Sequence, residues 1–118
     1  MGWSRWFDLT TSIVANEAPT TCGVYCIARA QTTIDYPAGT SATVLLGVAS
    51  DRQRGLRAIL AEIAKGTRSD LSAQGKLHGL RFCFQGNLGD AARGIHQQLI
   101  DDFTRTYGAP PCCNERSQ

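Results

Sequence analysis

The sequence predicts a small α+β domain: a three-stranded, largely antiparallel sheet flanked by helices. Three observations predict it. Three short runs alternate apolar and polar residues with period two, two longer segments repeat apolar residues at helical spacing, and Gly, Pro and Asp clusters punctuate the joints between them. A chain of 118 residues with 42% hydrophobic content can bury one core without disulfide or metal staples, so a single domain over residues 1 to 118 is expected.

The first strand spans Thr21 to Arg29, with Cys22, Val24, Cys26 and Ala28 on one face and Gly23, Tyr25 and Ile27 on the other. A connection containing Asp35, Tyr36, Pro37, Ala38 and Gly39 reads as a loop, in which Tyr36 would be exposed. Thr43 to Ala49 resumes the β pattern, so the two runs form a hairpin with a long connection. Asp51 can cap a helix from about Arg52 to Lys65, where Leu56, Ile59, Leu60 and Ile63 share a face and Gly66 is the stop. Thr67 to Lys76 is polar and reads as a loop or short irregular helix. Leu80 to Gln85 is the third strand, with Leu80, Phe82 and Phe84 alternating against Arg81, Cys83 and Gln85. Asp90 can cap a last helix that runs to about Tyr107, buries Ile95, Leu99, Ile100 and Phe103, and ends at Gly108 before Pro110-Pro111.

Composition excludes several classes. No apolar run approaches the roughly 20 residues of a spanning helix, so no membrane is expected. The start, Met1-Gly2-Trp3-Ser4-Arg5-Trp6, lacks the apolar core of a secretory signal, and five cysteines in no regular pairing pattern argue for a reducing, cytoplasmic compartment. Cys22 and Cys26 lie about 13 Å apart along a strand, too far for one zinc ion, and Cys112 and Cys113 would need ligands from elsewhere. The net charge of +2 is unevenly placed. Residues 51 to 85 hold seven basic against three acidic residues, a net +4, with the flanks slightly acidic. Arg52, Arg54, Arg57, Lys65, Arg68, Lys76 and Arg81 could therefore form a phosphate-facing surface, although a solvated helix flank is an equally plain reading.

Gly23-Val24-Tyr25 on the first strand, Leu45-Leu46-Gly47 on its partner, His96-Gln97-Gln98-Leu99-Ile100 on the last helix and a closing Pro110-Pro111-Cys112-Cys113-Asn114 occur in an order that resembles the GIY-YIG nuclease family over about residues 18 to 114. The resemblance implies a GIY-YIG-like fold and hydrolysis of nucleic-acid phosphodiesters with one divalent ion. It assigns Tyr25 to positioning or deprotonating the attacking water and Asn114 to the terminal asparagine. The arginine that stabilises phosphate charge falls near Gly55, and Arg57 fits if the turn gains two residues. Two positions depart from the pattern. His96 stands where the family has its metal-binding glutamate, and Leu45 stands where the second tyrosine belongs. Imidazole suits magnesium poorly but accepts manganese, nickel or zinc, so a transition metal held by His96 is favoured over magnesium.

Two functional readings follow. The first is a divergent endonuclease using Tyr25, Arg57, His96 and Asn114, with Arg52, Arg54, Lys65, Arg68 and Lys76 contacting DNA or RNA. The second is a catalytically inactive, nuclease-derived binding or structural protein without a metal cofactor. His96 within an apolar helix stripe also reads as a core histidine bonded to backbone, and His78 reads as a solvated loop residue or a proton acceptor. Trp3, Trp6 and Phe7 read first as a segment covering the sheet, then as a base-stacking platform or a protein-partner surface.

Overall fold

The structure, a computed structural model, describes residues 2–51 and 53–114, with Leu77 and His78 described by backbone alone. Arg52 and the side chain of His78 therefore lie outside the described residues. In chain order the elements are β1 (Phe7–Asp8), α1 (Thr11–Glu17), β2 (Gly23–Arg29), β3 (Ile34–Tyr36), β4 (Gly39–Ser41), β5 (Thr43–Ala49), α2 (Leu56–Ala64), α3 (Ser69–His78), β6 (Leu80–Gln85), a 3₁₀ turn at Gly89–Ala91 and α4 (Ala92–Tyr107). The α+β class and the three expected strands are present, but the main sheet has four strands in the order β1-β6-β2-β5. All its pairings are antiparallel.

The fourth strand refines the reading of the N-terminal segment. Phe7 and Asp8 pair with Phe82 and Arg81 along the edge of β6, while Trp3 and Trp6 stand beside Cys26, Leu46 and Cys83 on the α4 side of the sheet. The Phe7 ring then packs on Phe82 and Phe84 at centroid distances of 5.6 and 6.1 Å, so aromatic contact holds a two-residue strand that backbone pairing alone would not. The predicted loop at 35 to 39 is corrected: β3 and β4 form a separate hairpin. Tyr36 is half-buried there, edge-on to Phe103 at 5.2 Å, donating to the Thr43 carbonyl at 2.7 Å and accepting from the Cys112 amide at 3.1 Å.

Alternation sorts the strands into two buried faces. Tyr25, Ile27, Leu45 and Phe82 point toward Val14, Leu56, Leu60, Ile63 and Leu71, contributed by α1, α2 and α3. Cys26, Leu46 and Cys83 point the other way, beneath Ile100 and Phe103 of α4. The sheet is thus a middle layer, and β5 is its outer strand on the side away from β1.

The helices differ from expectation at several points: α1 has no counterpart in the sequence pattern, and α4 begins behind the 3₁₀ turn that holds Asp90, with Ala91 and not Asp90 as its N-cap. The helix expected from Arg52 starts at Leu56, because Asp51 closes a tight turn, accepting from the Gln53 amide at 2.9 Å, and does not cap the helix. The amides of Leu56 and Arg57 instead donate to the carbonyls of Thr21 and Pro19, which satisfies the open helix end with backbone from the α1–β2 connection. The polar stretch at 67 to 76 becomes the regular helix α3. Its composition conceals the anchor, Leu71, which is fully buried. Gly108 ends α4 as expected, with a left-handed φ of 83° that a residue bearing a Cβ adopts at a cost.

A candidate cleft at the edge of the sheet

An outer strand leaves its outward N–H and C=O groups without a ladder partner. In β5 those groups are covered by the chain's own C-terminal segment. The Cys113 amide donates to the Val44 carbonyl at 2.9 Å. One residue later the Asn114 side chain acts as a peptide mimic: its Oδ1 accepts from the Leu46 amide at 2.8 Å and its Nδ2 donates to the Leu46 carbonyl at 2.8 Å. His96 of α4 reaches the same carbonyl through Nε2 at 2.9 Å. A carbonyl only accepts, so Nε2 carries the proton and Nδ1 is left as the ring's other nitrogen.

The glycine of the second motif opens the remaining space. Tyr25 and Gly47 are direct partners across β2 and β5, and a Cβ on Gly47 would overlap the Tyr25 ring and hydroxyl. The phenol lies across that bare Cα. Tyr25 comes from the face packed by α2, whereas His96 comes from the helix on the opposite face; the two meet at the strand edge. Together with Leu45, Leu46, Val48, Arg68 and Asn114 they line a cleft of about 260 Å³.

The structure therefore brings Tyr25, His96 and Asn114 to one place, as the motif order predicts. It does not bring Arg57, whose Nε donates to the Ala18 carbonyl at 2.7 Å at the foot of α1. Arg68 is the arginine of the cleft. Its guanidinium is braced by Asp70 and by the Cys113 carbonyl at 3.1 Å, while Nη1 forms no hydrogen bond among the described residues. The sequence assigns Arg68 only to a general basic surface, because its aim depends on where the stretch read as a loop or short irregular helix begins its helical turns. Lys65 and Lys76 are exposed at the ends of the helices flanking it, and Arg54 is exposed and paired with Glu62.

Electrostatics restrict the chemistry. Burial pushes the Tyr25 hydroxyl up to about 12, only partly offset by the Arg68 charge, so at neutral pH it is a hydrogen-bond donor and not a base. Leu45 contributes only an alkyl chain to the cleft. Among the described residues no carboxylate lines the cleft, and no three His, Cys, Asp or Glu side chains cluster as a metal site. A donor set of amide, guanidinium and one imidazole nitrogen does not fit a hard divalent ion. Arg68 gives the cleft a permanent positive charge, which suits an anion.

Cys112 and Cys113 have their sulfur atoms 4.0 Å apart beside Tyr36, and neither acquires further metal ligands among the described residues. Comparison of the chain with protein-family models, with curated proteins and with solved structures gives no match.

Proposed function

We propose that this chain is a GIY-YIG-like domain of nuclease descent that binds nucleic acid at its edge cleft and basic flank without magnesium-dependent hydrolysis. The observation that carries this reading is how the polar groups of the cleft are engaged. His96 Nε2 and both polar atoms of Asn114 are committed to the backbone of Leu46, whereas Arg68 keeps Nη1 available beside the cleft. A phosphate fits that arrangement because it supplies the acceptor oxygens and negative charge that a guanidinium takes up in preference to water. The descent is supported by the meeting of Tyr25, Gly47, His96 and Asn114, which are far apart in sequence, at one strand edge.

The test is fluorescence anisotropy with duplex DNA, single-stranded DNA and RNA across a salt series. Affinity should fall with salt, with each phosphate contact contributing about −0.9 to the log–log slope on duplex and about −0.7 on single strands. Replacing Lys65, Arg68 and Lys76 together with Ala should flatten that slope by roughly three units on duplex and about two on single strands. Absence of association with all three ligands at low salt would overturn the binding reading. Supercoiled plasmid should remain uncut with magnesium. Cutting with magnesium or manganese that Tyr25→Phe abolishes would restore the divergent-endonuclease reading in its place.

A further inference from the structure

We propose that a trough on the α4 side of the sheet, walled by Trp3 and Trp6 and bordered by Arg81, receives an unpaired nucleobase of a single-stranded nucleic acid. This inference rests on the nucleic-acid reading above and adds a second contact of a different chemical kind. The trough has a volume of about 340 Å³, and its floor is Cys26, Leu46 and Cys83. That floor is apolar. Trp3 and Trp6 are the large hydrophobic side chains left exposed, at 39% and 40%.

The walls are built and held. The Ser4 amide donates to the Phe84 carbonyl at 2.8 Å, and the Phe84 amide donates to Ser4 Oγ at 3.0 Å. This clamp lies between the two tryptophans in sequence, so both indoles stand on backbone fixed to β6. The Arg81 guanidinium lies 4.6 Å from the centre of the Trp6 ring, and its Nε is buried with no hydrogen-bond partner among the described residues. An alkyl side chain from a protein partner would supply neither a flat π face nor an acceptor. A base supplies both: a face for the indoles, and carbonyl or ring-nitrogen acceptors for the outer amino groups of the guanidinium that lies over Trp6.

Position connects this trough to the cleft. Leu46 belongs to both, its side chain on the trough floor and its backbone in the cleft wall, so the two openings lie on either side of one residue of β5. A strand whose phosphate rests at Arg68 thus has a base-sized, aromatic-walled recess within reach. A duplex, whose bases are stacked and paired, cannot fill it.

Both tryptophans of the chain line the trough, so all of its tryptophan emission reports on this place. The experiment titrates the full chain with a thymidine 12-mer, the same length of abasic strand and a duplex, following tryptophan quenching and anisotropy together. Thymidine strand should quench, and the abasic strand, with equal charge, should bind roughly five- to hundredfold more weakly and leave emission unchanged. Trp3→Ala with Trp6→Ala should erase that difference, while Trp6→Phe, which retains a stacking face, should restore part of it. Thermal unfolding of each variant separates loss of the trough from loss of the fold. Equal binding of thymidine and abasic strands that the tryptophan variants do not alter overturns the stacking site and leaves the phosphate-binding reading standing. No binding of any strand overturns both, and a concentration-dependent change in emission and mass without nucleic acid assigns the trough to a protein contact instead.

Discussion

Removing the Asn114 side chain should destabilise the protein by a magnitude that the hydrogen bonds define. Asn114 is 5% exposed, and its two bonds to Leu46 are each 2.8 Å long. Each bond contributes about 1 kcal/mol net, and stranding a buried amide adds ~1–3 kcal/mol. In Asn114→Ala the Leu46 carbonyl keeps His96, whereas the Leu46 N–H is orphaned. The expected loss is about 3–5 kcal/mol, or roughly 12–20 °C in melting temperature for a chain of this size. His96→Ala should cost less, about 1 kcal/mol, because Asn114 Nδ2 still serves the same carbonyl. The two donors back each other up at one oxygen. Their joint removal leaves that carbonyl bare, so the double variant should be worse than the sum of the singles by about 1 kcal/mol or more. Urea unfolding followed by circular dichroism measures all three. Additive effects, or an Asn114→Ala variant within about 0.5 kcal/mol of the natural chain, would refute the edge-cover reasoning.

Three further outcomes test the cleft and its surroundings. Gly47→Ala places a methyl group in the Tyr25 ring and should cost ~1–3 kcal/mol in urea unfolding; natural stability would mean that the phenol does not cross this Cα. Burial raises the Asp70 carboxyl, but bonds and charge from Arg68 and the Leu71 amide outweigh it and hold it below its ordinary value. Its contribution is therefore present above the unfolded value of about 3.9 and lost as pH falls through the lower folded value, so Asp70→Asn should destabilise at pH 7 and much less near pH 2.5 in unfolding titrations. The Cys112 thiol is pulled down to about 6, chiefly by the Cys113 thiol and, against burial, by the Tyr36 hydroxyl and the Arg29 charge. Iodoacetamide should therefore label Cys112 first, with a rate midpoint near 6 by mass spectrometry, and a midpoint above 8 would contradict that thiolate.

Alternation and turn chemistry made the strands legible. Leu80 to Gln85 and Thr43 to Ala49 are strands with the bounds their side-chain pattern implies, because each has one face against a core. Helix α3 was legible only as a loop or short irregular helix, since its stability comes from Leu71 entering a core assembled by remote segments and not from a repeated apolar stripe. The aim of Arg68 was lost with it: an arginine just before a helix start can be aimed at a cleft only once that start is known. The start of α2 failed for a related reason. Asp51 has the chemistry of a cap, but backbone carbonyls from residues 19 and 21 took that place, and sequence carries no signal for a long-range backbone contact. The convergence of Tyr25, His96 and Asn114 was legible only as an ordered set of motifs.

That convergence bears differently on fold and on chemistry. Strand β5 must have its outer edge covered, and Leu46 presents both a donor and an acceptor there. A side-chain amide is the group that answers both at once, which gives Asn114 a structural reason to stand at this place whether or not anything is hydrolysed. Gly47 has a similar reason, because any larger residue would collide with Tyr25. These positions thus report on the edge and its cover. A carboxylate at position 96 would point an acceptor at the Leu46 carbonyl oxygen, the group to which Nε2 of His96 now donates. Histidine there strengthens the cover of the edge and supplies no anionic oxygen for a hard divalent ion. His96→Glu is accordingly expected to lose stability while gaining affinity for magnesium in calorimetric titration, and a variant that keeps full stability and binds no magnesium would show that position 96 does not face the cleft.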